Sequence, residues 1–444
     1  MTCVPPVWSS CKWSKSDRGG SQNITKSLGV ERRRLVWARN MLLDVDLFAK
    51  AETEILNHLT DRGYEIFYIS GHSEQKFRFK NPNIRLFSIP LGRNNYPLKY
   101  HLILGLVQLL YFPIRITKTR PNFVIVDWDS LFGLLPMLPF CKLLGAKVIL
   151  DIRSTPIPIE NLQKRTGLRL GLLKFVFSIS VYIAKRKLDG ITIITNLMKK
   201  EVCETFNIDP TRVGVWPSGV STRLFNFEDY TQERTKVKEQ LELSDKFIIC
   251  YHGSFLQSRG LLDAIDAMAI VKDQYPEAVL FLLGKGSIQT VADMRKTIET
   301  NGLQGRVIIH DPVNYEDLPR YIAMCDVGLV PLPDLPQWRN QCPLKLLEYL
   351  SMEKVAILSD IPCNREVVGT DPCGIYLKST SDVGIAEGIT FAIRNKNKLG
   401  EWGARGRAIV EKKYTWGKVA QDLDIYLREL ENEGIRLAEA EISN

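Results

Sequence analysis

Long apolar runs, paired cysteines and histidine are what this 444-residue chain has least of. No stretch reaches the ~20 consecutive apolar residues of a membrane span. The greasiest, His101 to Ile116 and Leu131 to Leu144, are broken by Pro113, Pro136 and Pro139. The N-terminus is polar and basic without an apolar h-region, so no export signal is read there. Nine scattered cysteines form no Cys-x-x-Cys and have no His pair nearby. That excludes a structural zinc and a disulfide-stapled module, and it points to a reducing, cytoplasmic setting in which the sequon Asn23-Ile24-Thr25 has no meaning. Catalytic signatures are missing as well. There is no Walker lysine motif, no Gly-x-Ser-x-Gly elbow and no His-Glu-x-x-His, which argues against P-loop, hydrolase and zinc-protease readings together. The nearest dinucleotide fingerprint, Gly284-Lys285-Gly286, has Gln289 where a third glycine belongs.

What is present describes a folded protein of two or three domains, with 45% apolar and 25% charged residues. The formal charge is +9. The first forty residues carry eight Lys and Arg against two acids, a net +6, so the remaining chain is near neutral at +3. A basic tail on a near-neutral body argues against a nucleic-acid groove. Two readings of the tail stand, a solvated disordered segment or attraction to an acidic lipid surface.

From Arg34 onward β-rich runs alternate with longer amphipathic ones, the pattern of strand-helix-strand units on a parallel sheet. The spacing predicts two tandem doubly wound α/β domains facing across one cleft. The boundaries expected are a basic tail over 1–30, a first Rossmann-like domain over 31–226, a polar linker over 227–244, a second Rossmann-like domain over 245–410 and a C-terminal helix over 411–444. Ligands of such sheets bind beyond the carboxyl ends of the strands.

One segment there carries chemistry. The strand Val327 to Val330 leads into a Pro-rich loop, Pro331 to Pro343, and then into Leu344-Lys345-Leu346-Leu347-Glu348-Tyr349-Leu350 opening a helix, with Pro343 suited to the first helical position. A helix starting past a strand end aims free N–H groups and its positive dipole end into the cleft, where a diphosphate would sit. Lys345 adds a positive charge in the first turn. Glu348, one turn in, has two acceptor oxygens suited to a ribose cis-diol.

The ordered motifs "YHGSFLQSRGLLDAIDA", "VLFLLGKGS", "VNYEDLPRYIAMCDVGLVPLP" and "NQCPLKLLEYLSMEKVAILSDIPCNREVV" resemble the C-terminal domain of family 4 retaining glycosyltransferases, which have the two-Rossmann GT-B fold. "VWPSGVSTRLF" extends the likeness backward, so it covers about residues 190 to 430, and residues 34 to 190 by architecture. The resemblance implies a donor site bracketed by two glutamates eight positions apart. Glu348 matches the second, the ribose ligand, while Asn340 stands where the first contacts the transferred sugar. It implies that the backbone of Gln341, Cys342, Pro343 and Leu344 contacts sugar hydroxyls and phosphate. Of the two cations expected around the first strand of this domain, Arg259 is kept and Ser254 replaces the other, so Lys345 is expected to supply the missing charge. Gly253 suits close backbone approach to phosphate.

In the N-terminal half the family's glycine-rich turn is missing over Arg39 to Asp46, and "VILDIRSTPIP" puts Asp151 and Arg153 near the place of a family histidine. That Asp-x-Arg reads either as an acceptor or donor contact or as a structural ion pair. His252 and His310 read as packed strand residues. The expected activity is transfer of a sugar from a nucleotide-diphosphate sugar to a hydroxyl of a saccharide or lipid-linked acceptor. It needs no metal, no other cofactor and no protein nucleophile, and it would run in the cytoplasm or peripherally at an anionic membrane surface. Asn340 and Ser254 keep a decayed nucleotide-sugar-binding protein open, and the fold keeps an epimerase or phosphorylase open.

Overall fold

The computed structural model describes residues 32–42, 49–72, 78–90, 98–155 and 167–442. The basic tail over 1–30 and residues 43–46 of the glycine-free stretch lie outside them.

The first domain contains β1 (Arg33–Leu42), α1 (Ala49–Asp61), β2 (Tyr64–His72), β3 (Ile84–Pro90), α2 (Leu98–Thr119), β4 (Phe123–Asp127), α3 (Leu131–Leu134), α4 (Leu138–Leu143), β5 (Lys147–Ile152), α5 (Leu168–Lys187), β6 (Gly190–Ile193), α6 (Asn196–Phe206) and β7 (Val213–Val215). Its seven strands pair in parallel in the order β3-β2-β1-β4-β5-β6-β7. A parallel sheet covered on both faces needs strands apolar on both sides, which is why β4 reads as an unbroken Phe-Val-Ile-Val and is buried throughout. The helix α2 runs through Pro113, and one turn later Thr117 donates its hydroxyl back to the Pro113 carbonyl at 2.7 Å.

Residues 227–244 are partly helical, with α7 (Thr231–Gln240) joined to the second domain by Arg234 and Lys238 contacting Asp326 at 3.6 and 3.5 Å. The second domain contains β8 (Phe247–Phe255), α8 (Leu261–Val271), β9 (Ala278–Gly286), α9 (Ile288–Thr300), β10 (Val307–His310), α10 (Leu318–Met324), β11 (Val327–Val330), α11 (Pro336–Arg339), α12 (Leu344–Ser351), β12 (Val355–Ser359), α13 (Pro362–Val368), β13 (Gly374–Leu377), α14 (Asp382–Arg394) and α15 (Leu399–Lys413). Its six parallel strands are ordered β10-β9-β8-β11-β12-β13.

The last helix, α16 (Trp416–Ile442), returns to the first domain. Its Val419, Ala420, Leu423 and Leu427 enter the core under β1 and α1. Its Tyr426 hydroxyl donates to the Arg212 carbonyl at 2.7 Å, and Asp424 accepts from Tyr64 at 2.9 Å. The chain's own end is therefore anchored in the first domain after leaving the second at Lys413.

Candidate active site

The second domain's wall of the cleft starts at the end of β8. Gly253 has φ +117°, a left-handed conformation that a side chain would strain, and a Cβ there would lie 3.7 Å from Lys345 Nζ. The neighbouring Gly284 and Gly286, the glycines of a dinucleotide motif in sequence, do a different job. A Cβ on Gly284 would stand 1.9 Å from the Gly253 carbonyl oxygen, so these glycines exist for close packing of β9 on β8.

Two cations converge beside Gly253. Arg259 follows β8 and stacks its guanidinium 5.1 Å from the Trp338 ring centre, while Trp338 Nε1 donates to the Ser258 carbonyl at 3.1 Å. Lys345, the second residue of α12, is 7% exposed and holds Nζ 3.6 Å above the Tyr251 ring. Neither Lys345 Nζ nor Arg259 Nε, both buried atoms, has a hydrogen-bond partner among the described residues. Burial, and then repulsion from Arg259, push the Lys345 ammonium well below its ordinary range. Keeping Lys345 charged at this buried position beside Arg259 therefore costs free energy in the ligand-free protein. Ser254 brings no charge, and Lys345 is the second basic side chain beside Gly253. Pro343 caps α12 from just outside, one residue earlier than the spacing suggested, and leaves Leu344 and Lys345 as the first helical residues.

Glu348 sits one turn further along α12 and is 3% exposed. Its Oε2 lies 3.3 Å from His252 Nε2. Burial, and then Lys345, hold the His252 pKa well below its ordinary value, so the contact is with a neutral imidazole. Tyr315 reaches Glu348 from the loop after β10 through its hydroxyl. His310 is a packed strand residue, 5.5 Å from the Phe281 ring centre and 5.1 Å from that of Tyr321.

The loop between α11 and α12 lies against the first domain. Asn340 is 7% exposed and donates Nδ2 to Glu201 Oε2 on α6 at 2.5 Å, and its backbone carbonyl accepts from Thr195 at 3.3 Å. Gln341 is half-buried. Cys342 is buried against the Ser218 carbonyl, and burial lifts its thiol to about 11, so it is no nucleophile at neutral pH. Leu344 packs against the first domain's aromatic core.

On the facing wall Asp151 is 1% exposed and accepts three hydrogen bonds: Arg39 at 2.5 Å, Thr192 at 2.7 Å and Trp216 Nε1 at 3.0 Å. Arg39 also pairs with Glu52 at 2.8 Å. Burial opposes the Arg39 charge, but Glu52 and then Asp151 outweigh it and hold the pKa above the usual range. Asp151 is thus a buried anchor. Arg153 lies beside it against both Trp216 and the second domain: its guanidinium stacks 3.5 Å from the Trp216 ring centre, bonds the Trp216 carbonyl and lies near the Cys342 thiol. Burial lowers the Arg153 pKa to about 10, which leaves it cationic at neutral pH. Arg39, Glu52, Tyr251, Tyr315 and Trp338 were not legible in sequence, because each acts through a residue far away along the chain.

Comparison with known proteins gives the family. Residues 53–224 match "Glycosyltransferase Family 4" and residues 232–409 match "Glycosyl transferases group 1". The chain belongs to the family 4 glycosyltransferases. Over 394 residues it is 21% identical to the chitobiosyldiphosphodolichol beta-mannosyltransferase of Candida glabrata, covering 82% of this chain and 85% of that protein. It is 22% identical over 194 residues to the alpha-D-kanosaminyltransferase of Streptomyces kanamyceticus, covering 44% of this chain and 48% of that one. In fold it is similar to the sucrose-phosphate synthase of Thermosynechococcus elongatus, with a TM-score of 0.71 at 14% identity over 90% of this chain and 99% of that one. The Anabaena protein HepE in complex with UDP gives a TM-score of 0.68 at 14% identity over 89% of this chain and 100% of that one. The glycosyltransferase thus has the GT-B architecture, and the curated relatives named are sugar transferases, which gives no support to an epimerase or phosphorylase.

Proposed function

We propose that this glycosyltransferase moves a sugar from a nucleotide-diphosphate sugar to a hydroxyl of a saccharide or lipid-linked acceptor, with retention and without a divalent metal or other cofactor. The observation that carries the reading is the pair of converging cations, Lys345 and Arg259, whose buried Nζ and Nε lack partners among the described residues at the N-terminus of α12, with Glu348 one turn beyond. Departure of a nucleoside diphosphate builds negative charge at that point, and preorganised cations and helix N–H groups oppose it. Glu348 accepts the ribose hydroxyls. Asn340, Gln341 and Cys342 form the side of the pocket nearest Arg153, where the sugar would lie. Glu52 and Asp151 are both committed to Arg39, so neither is read as the base of an inverting attack, and retention follows the family resemblance.

The test is calorimetric titration with UDP, GDP and ADP in the presence of EDTA, followed by determination of the product anomer by NMR. One diphosphate is expected to bind in EDTA and to lose ~1–3 kcal/mol in Glu348→Ala, the size of lost hydrogen bonds to a charged group. Absence of any diphosphate binding would return the decayed-site reading, and an inverted anomer would overturn retention.

A second observation supports a peripheral site at an anionic membrane. The sequences of helices α2, α3, α4 and α5, whose buried residues share one core, hold nine Lys and Arg and not one Asp or Glu. Ten of the sixteen exposed large apolar side chains among the described residues lie on them, including Leu110 at 73%, Phe175 at 60% and Leu143 at 80%. No helix among the described residues is long and apolar enough to cross a membrane, so this face is suited to lie on the lipid surface. The enzyme is expected to float with anionic but not zwitterionic liposomes at low salt, and Leu110→Glu with Phe175→Glu should release it. Wild-type protein left in the soluble fraction would count against the reading.

A further inference from the structure

The position that a carboxylate was expected to occupy, Asn340, is held by a carboxylate from the other domain. Its Nδ2 donates to Glu201 Oε2 at 2.5 Å. A carboxylate has acceptors and no donor, so only the nitrogen side of the amide can face Glu201. The amide orientation is therefore fixed, and the carbonyl Oδ1 is turned to the opposite side. There Oδ1 is buried and has no partner among the described residues. A buried carbonyl without a donor costs free energy in the ligand-free protein, and a hydroxyl arriving with a ligand would remove that cost.

The support for Glu201 is built from both domains. Thr195 caps α6 by accepting from Met198 N at 3.2 Å and donates to the Asn340 backbone carbonyl at 3.3 Å. Glu366 on α13 accepts from Asn196 N and Nδ2 at 2.9 and 2.7 Å, which pins the start of α6 to the second domain. Glu201 lies on that pinned helix, so it cannot drift away from Asn340.

We infer that Glu201 is a positioning residue that turns Asn340 into a pure hydrogen-bond acceptor for a hydroxyl of the transferred sugar. The inference rests on the donor-site reading above. Asn340 thereby keeps the acceptor polarity of a carboxylate without its charge, and the charge stays one residue removed.

The test is equilibrium binding, which needs no acceptor. UDP-glucose, GDP-mannose and the free diphosphates UDP and GDP are titrated into wild type, Glu201→Gln, Asn340→Asp and the double variant. Glu201→Gln lets the amide turn either way, so sugar-nucleotide affinity should fall about tenfold while diphosphate affinity is unchanged. Asn340→Asp sets two carboxylates against each other, and its sugar-nucleotide affinity should fall as pH rises through their shared proton's pKa. The double variant reverses the polarity of the pair, the introduced glutamine on α6 donating to the introduced aspartate, and should recover wild-type affinity. A merely structural contact would move diphosphate and sugar-nucleotide binding together. The inference is overturned if the double variant is no better than the weaker single one, or if Glu201→Gln binds sugar nucleotide as wild type does. If wild type binds no diphosphate at all, the donor site itself is refuted and this inference falls with it.

Discussion

Replacing Lys345 with methionine is expected to lower kcat/KM by ~10²–10³-fold, the usual effect of removing one preorganised group from a developing anion, while raising the melting temperature. The two effects have one cause. Lys345 Nζ is buried above Tyr251 with no hydrogen-bond partner among the described residues and with Arg259 repelling it. Methionine fills the same stem volume without a charge to desolvate, so the folded state gains at neutral pH. The sign of the pH dependence follows from the depressed pKa. Folding disfavours the protonated amine, so wild-type stability should increase as pH rises from the folded pKa toward the ordinary lysine value, and the variant should lack that slope. Diphosphate binding should reverse the shift and take up protons, visible as buffer-dependent heats, with affinity falling at higher pH. Release of diphosphate from a sugar nucleotide and thermal melts with and without diphosphate measure all of this. A variant that loses activity and stability together would show that the lysine is structural.

Asp151→Ala is expected to destabilise the first domain by ~3–5 kcal/mol, the cost of removing one partner from a buried charged network. Three donors, from Arg39, Thr192 and Trp216, converge on this carboxylate, and the substitution leaves them facing a cavity. Asp151→Asn should recover little, because its amide nitrogen would confront one of those donors. Urea unfolding followed by tryptophan fluorescence is suitable, since Trp37 packs edge-on against Trp216 with ring centres 5.8 Å apart. A loss under ~1 kcal/mol, the value for an exposed pair, would mean that the network is solvated. Arg153 gives the contrast: it stacks on Trp216 at the cleft, so Arg153→Ala should reduce sugar-nucleotide binding with a smaller loss of stability.

Local chemistry explains why much of this was legible in the chain. The parallel strands announced themselves because burial on both faces leaves no polar alternation, and Phe123–Asp127, Val307–His310, Val327–Val330 and Val355–Ser359 coincide with observed strands. Glu348 and Lys345 were readable because residues in the first turns of one helix are neighbours in sequence. β3, β13 and the helices α14 and α15 were not read out, since their register depends on the elements that they cover. Arg39 was placed in a turn by the family's pattern, yet β1 continues to Leu42 because Glu52 and Asp151 hold that arginine inside.

The sequence by itself determined the two-sheet architecture, the C-terminal helix and the neighbouring Lys345 and Glu348 at the start of α12, because periodicity and helix-start chemistry act over a few residues. Tertiary structure alone decided that Asp151 is held by Arg39 while Arg153 stacks on Trp216, that Gly284 packs against Gly253, and that Glu201 stands behind Asn340. The last of these joins residues 139 positions apart, and in each case only the shared burial of the partners fixes which atom points to solvent and which to its neighbour.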